Sequence, residues 1–103
     1  MKIFVKALST SDIPPGTKKT VFVSGKKIAI ANVDGEFFAV DDSCTHQHCS
    51  LGTSGFLDGS AIICSCHGAQ FDVATGEALS LPATVDLQTY ETTIEGSDVM
   101  VAV

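Results

Sequence analysis

The chain has no arginine, no tryptophan and one tyrosine, and no basic residue follows Lys27. Without arginine it lacks the group that most often clamps phosphates and reads guanine edges, so nucleic-acid binding is not expected. No stretch approaches the ~18 to 20 continuous apolar residues of a membrane span. Met1 to Thr10 lacks the features of a secretory leader, because Lys6 interrupts its apolar residues and no small-residue cleavage site follows. A cytoplasmic protein is therefore expected. No phosphate loop, dinucleotide fingerprint or nucleophile–base pair is present, so the chain carries no sign of catalysis of its own.

What is present is a single domain, 1–103, long enough to bury roughly 60 to 70% of the surface its unfolded form exposes. Its 45% apolar and 17% charged composition excludes a disordered segment. The net charge of −6 is unevenly spread. All 6 lysines and one acid, Asp12, fall in residues 1–27, which sum to +5; residues 28–103 hold the other 11 acids and no base, and sum to −11. Acidity of this kind serves solubility, or it forms a docking face for a basic partner.

The periodicity is that of strands. Ile3 to Leu8, Thr20 to Val23, Lys27 to Val33, Glu36 to Val40, Gly55 to Leu57, Ala61 to Cys64, Val85 to Ile94 and Val99 to Val103 are β-branched or aromatic runs. Turn signals separate them: Pro14-Pro15-Gly16, Ser24-Gly25, Asp34-Gly35, Asp58-Gly59 and Glu95-Gly96-Ser97-Asp98. Short strands at this spacing predict an all-β, antiparallel sandwich or small barrel.

Every cysteine and histidine lies between positions 44 and 67. They form two knots, Cys44-Thr45-His46-Gln47-His48-Cys49 and Cys64-Ser65-Cys66-His67, with the Asp58-Gly59 turn between them. Three chemistries suit such a set. Four cysteines in a small domain suggest disulfides, but that reading leaves the histidines unexplained. Two Cys and two His can close a tetrahedral zinc shell. They can also hold a two-iron, two-sulfur cluster, provided the ligands reach two irons. Each knot offers one thiolate and one imidazole, as Cys44-x-His46 and Cys64-x-x-His67. That division favours the cluster, because zinc sites more often pair Cys-x2-4-Cys with His-x3-5-His.

The two knots resemble the cluster-binding boxes of the Rieske iron–sulfur proteins. The resemblance extends to Ile13-Pro14-Pro15-Gly16, to Ala31 through Val40 and to Phe71-Asp72-Val73-Ala74-Thr75-Gly76-Glu77, which read like Rieske ferredoxins. It implies an all-β base with a cluster-binding subdomain inserted at about residues 42–80, and one [2Fe-2S] cluster held by Cys44, His46, Cys64 and His67. It further implies a disulfide between Cys49 and Cys66, and a loop bearing Pro82 over the cluster. His48 is expected to be an exposed loop residue, and Phe56 and Phe71 are expected in the core. Gly52, Gly55 and Gly68 are expected to permit tight turns around the cluster.

High-potential members of the family carry a serine and a tyrosine after the second box, whose hydroxyls hydrogen-bond to sulfur. Ala69 and Phe71 stand at those positions here and can donate nothing. A potential in the lower part of the Rieske span of about −150 to +300 mV is therefore expected.

The role implied is that of a one-electron carrier between a flavin-containing reductase and a terminal oxygenase, one that hydroxylates aromatic rings. A carrier that exchanges partners is expected to be a monomer. The alternative is a small [2Fe-2S] subunit of a larger redox enzyme such as nitrite reductase. A catalytic oxygenase subunit is not expected, since all three histidines lie in the cluster knots and leave no pair for a mononuclear iron site.

Overall fold

A computed structural model describes residues 3–42, 50–51, 55–64, 69–80 and 86–102. Among these residues eleven short strands build three antiparallel sheets, as the alternating sequence pattern requires. β1 (Phe4–Ser9), β11 (Asp98–Ala102) and β10 (Thr92–Glu95) form the first sheet, in the order β1-β11-β10. β2 (Lys18–Val23), β3 (Lys26–Val33), β4 (Glu36–Asp41) and β9 (Thr89–Tyr90) form the second, in that order. β5 (Phe56–Asp58), β6 (Ala61–Ile63), β7 (Gln70–Asp72) and β8 (Ala78–Ser80) form the third as a meander.

The second sheet lies between the other two. Along β3 and β4 successive side chains point to opposite faces, and both faces are covered. Ile28, Ile30 and Ala39 pack with Leu8, Ile13, Val99 and Val101 of the first layer. Ala29, Ala31 and Val40 pack with Leu51, Ile62, Cys64 and Phe71 of the third. This explains why β3 reads as a near-continuous apolar run rather than an alternating one. At ~25 cal/mol per Å² each fully buried valine, leucine or isoleucine here contributes about 1.5–3 kcal/mol.

The turns follow their residues. Asp34 and Gly35 both take positive φ (53° and 92°) between β3 and β4, the backbone that a two-residue Asp-Gly hairpin demands. At Pro14-Pro15-Gly16, Gly16 has φ 83° and the Thr17 N–H donates to the Pro14 carbonyl at 3.1 Å, a type II turn. Buried Asn32 fastens this turn to β3: its Nδ2 donates to the Ile13 carbonyl at 2.8 Å, and its Oδ1 accepts from Gly35 N–H at 2.8 Å.

The all-β expectation holds, with four local corrections. β7 and β8 are not legible as strands, because Gln70-Phe71-Asp72 and Ala78-Leu79-Ser80 contain no β-branched residue and lack the Asp-Gly turn signal that frames β5 and β6. The expected run to Ile94 is split at Glu91: Thr89–Tyr90 pairs with β4, and Thr92–Glu95 crosses to the first sheet beside β11. The β5–β6 turn residues are Gly59 and Ser60, since Asp58 still pairs with Ala61. Phe56 is not a core residue; it is 62% exposed, because the period-2 alternation of edge strand β5 turns Leu57 inward instead. Phe71 is buried as expected.

The lysines among the described residues stand on β1, β2 and β3 only, at Lys6, Lys18, Lys19, Lys26 and Lys27. The third sheet carries none.

Candidate metal centre

Cys64 directly follows β6 and is 1% exposed, a free thiol turned into the apolar layer between the second and third sheets. Its N–H donates to the Ala69 carbonyl at 2.7 Å, one step beyond the last registered pair of β6 and β7, Ile63 with Gln70. The segment 65–68 is thus closed at its base. The β5–β6 register, extended one step beyond Phe56 and Ile63, sets Gly55 across from Cys64 on the other side. Cys64 is therefore flanked in its row by the two smallest side chains the code offers.

Gly55 has no positive φ, so the expected tight turn is not the reason for a glycine there. The reason is close approach. A Cβ at Gly55 would lie 2.6 Å from the Ile63 carbonyl oxygen and 2.7 Å from that of Leu51. The chain that returns from the first knot is thus pressed against the strand that leads into the second.

The root of the first knot is a polar joint. Asp42 is 0% exposed. Its N–H donates to the Lys27 carbonyl at 3.1 Å, and its own carbonyl accepts from Leu51 N–H at 2.7 Å, closing the segment 43–49. Its side-chain Oδ1 accepts from the Thr20 hydroxyl at 2.7 Å, and Oδ2 lies 3.5 Å from Lys27 Nζ. The Thr20 and Ser50 hydroxyl oxygens are 3.2 Å apart. Burial holds the Lys18 ammonium below the ordinary lysine value, and the Asp42 charge works against that shift. One residue earlier, Asp41 Oδ1 accepts from the Tyr90 hydroxyl at 2.7 Å, while Lys26 Nζ sits 5.4 Å from the Tyr90 ring centroid. Burial first, then the Asp41 hydrogen bond and charge, push Tyr90 up to about 12.

Of the residues expected at the site, Cys64, Ala69 and Phe71 fall together in one buried cluster. Cys44, His46, His67, Cys49, Cys66, His48, Gly52, Gly68 and Pro82 lie outside the described residues. Sequence reasoning overlooked Thr20, Asp42 and Ser50, whose side chains look like ordinary surface groups until the fold brings them together. An open cleft of about 690 Å³ is lined by Phe37, Phe38, Tyr90 and Thr92; Cys64, the candidate ligand among the described residues, does not line it.

The donor set suits an iron–sulfur group. A thiolate in so apolar a layer is costly as a free ion and is stabilised by a metal that takes up its charge. The glycine and alanine beside Cys64 leave its row free of bulk, and both knots are closed at the base by backbone hydrogen bonds. The ligands expected from the sequence, one thiolate and one imidazole in each knot, match the requirement of a Rieske centre.

The comparisons agree with this geometry. The family described as the Rieske [2Fe-2S] domain matches residues 3–91. The chain belongs to this Rieske [2Fe-2S] family. It is 47% identical over 98 residues to the biphenyl dioxygenase ferredoxin subunit of Pseudomonas sp. (strain KKS102), covering 95% of this chain and 90% of that one. Among solved structures it superposes with a TM-score of 0.91 on a chain from the complex of reduced oxygenase and oxidized ferredoxin in carbazole 1,9a-dioxygenase. That match is 40% identical and covers 97% of this chain and 93% of the other. The Sphingomonas yanoikuyae B1 ferredoxin also gives 0.91, at 34% identity, over 98% of this chain and 99% of that one.

Proposed function

We propose that this protein is a Rieske-type ferredoxin that carries one electron at a time from a flavin-containing reductase to a terminal oxygenase, one that hydroxylates aromatic rings. The observation that carries the reading is the row of Gly55, Cys64 and Ala69: a buried thiol flanked by the two smallest residues, at the end of the strand that leads into the second Cys/His knot. When bound, the [2Fe-2S] cluster supplies a reversible one-electron acceptor. Cys44 and Cys64 would supply the thiolates, and His46 and His67 the imidazoles. Cys64 would hold its iron from within the apolar layer, which keeps water from that thiolate. The second imidazole nitrogen of each histidine is then free to face a partner.

The domain is read as a single unit with its cluster-binding part at about 42–80, working as a monomer in the cytoplasm. Among the described residues no helix is long and apolar enough to cross a membrane. The test is direct. Purified protein is expected to contain two irons and two acid-labile sulfides per chain and to give an electron paramagnetic resonance signal on reduction. Stoichiometric zinc, or a spectrum without that signal, would overturn the assignment.

A further inference from the structure

We propose that Asp42 is a positioning residue for the one-electron centre: seated against Thr20 and Lys27, its carboxylate fixes the root of the first ligand loop and biases the centre toward its oxidised form. The inference rests on the carrier reading above and adds to it a residue outside the ligand boxes.

Covalent geometry bounds the separation of the two backbones. Consecutive Cα atoms are ~3.8 Å apart, so the Asp42 Cα lies within about 7.6 Å of that of Cys44 whatever path the chain takes between them. With Asp42 0% exposed, screening of its charge by water and salt is weak. The carboxylate is held in place by the backbone of the residue and by its Oδ1. The backbone bonds to Lys27 on β3 and to Leu51, and the side chain bonds to Thr20 on β2, 22 positions away in sequence.

Such a charge is a poor device for stability, because an apolar replacement of similar shape often serves a fold as well. Its field is what a neutral isostere would not reproduce. An added electron is repelled by a fixed negative charge so weakly screened, and the Lys27 ammonium at 3.5 Å offsets part of that repulsion. The Lys27 side chain is 44% exposed, so water weakens its share. The two members of the pair should therefore move the midpoint potential in opposite directions, and Asp42 should move it further.

The test compares the intact, iron-loaded protein with Asp42→Asn and Lys27→Met, by voltammetry and by iron per chain. Asparagine keeps an oxygen for the Thr20 hydroxyl and removes only the charge. Asp42→Asn is expected to raise the midpoint by a tenfold change in the reduced-to-oxidised ratio, ~59 mV for one electron, and Lys27→Met to lower it by less. Opposite shifts at unchanged iron content support the proposal. Unmoved midpoints, or shifts of the same sign, overturn it. If Asp42→Asn fails to retain iron, Lys27→Met decides alone: a lowered midpoint supports the proposal and an unmoved one overturns it. An unsubstituted protein without iron would overturn the carrier reading itself, a result distinct from iron-loaded proteins with equal midpoints.

Discussion

Cys64 and Ala69, on either side of residues 65–68 in the chain, are joined by a 2.7 Å bond from the Cys64 N–H to the Ala69 carbonyl. The bond continues the β6–β7 ladder by one rung and gives that N–H a backbone partner. Cys64 is therefore fixed at the end of β6, with Gly55 on its other flank.

Gly55→Ala should disturb that arrangement more than its one carbon suggests. The new methyl would meet two backbone carbonyl oxygens at 2.6 and 2.7 Å, neither of which can rotate away. A loss of about 1–3 kcal/mol is expected from the overpacking, together with reduced iron per chain. Thermal melting and iron analysis check this, and a variant with unchanged melting and full iron would remove Gly55 from the site.

Ala69→Ser combined with Phe71→Tyr should raise the potential. Both positions are fully buried beside Cys64 and now lack any hydroxyl. If each new hydrogen bond to sulfur favours the reduced form by roughly 1–1.5 kcal/mol, the pair is worth on the order of 100 mV at ~59 mV per 1.4 kcal/mol. Voltammetry of the double variant measures it, and an unmoved midpoint contradicts the hydroxyl argument.

Tyr90 is the single tyrosine in a chain without tryptophan, so its ionisation can be followed alone by tyrosinate absorbance. Its folded value of about 12 lies above the ordinary 10.0. The stabilisation is therefore fully present below pH 10 and is lost as pH rises toward 12. A midpoint near 12 is expected for the native protein, and Asp41→Asn should bring it down by removing the partner charge. A native midpoint at the ordinary value would show that neither the burial of Tyr90 nor its Asp41 bond persists in solution.

Much of this fold is legible in the chain because β3, β4 and the Asp34-Gly35 turn obey local rules that tertiary contacts only reinforce. The third sheet is less legible. β7 and β8 contain no β-branched residue, and the burial of Phe71 alongside the exposure of Phe56 depends on which strand lies at an edge. The ligand boxes announce themselves because cysteine and histidine are rare and cluster. Asp42 does not, because a carboxylate two positions before a cysteine is indistinguishable from a surface acid until Thr20 and Lys27 close on it. Gly55 was singled out for a turn, yet only three-dimensional contact with Leu51 and Ile63 reveals why no side chain fits.

The pairing of Cys49 with Cys66, implied by the family resemblance, is checked by alkylating denatured protein. Two thiols are expected to react at once and two more only after reduction. Four reactive thiols without reductant would establish that no bond exists.

Electron transfer to an oxygenase is expected to slow as salt rises, since 11 acids lie in residues 28–103 and charge steering decays over a Debye length of ~10 Å at 0.1 M. Stopped-flow rates across an ionic-strength series measure this, and a flat series would leave the acidity to solubility alone.

The confinement of the described side-chain amines to β1, β2 and β3 has a practical corollary. Amine-directed coupling to an electrode or bead grips the molecule through its first two sheets and leaves the third sheet without a point of attachment. A film prepared this way would hold its molecules in related orientations, with the Cys64 end unmodified. Lysines placed on β5 or β8 would destroy that order, and the contrast between the two films would report how much of the current depends on which way the protein faces.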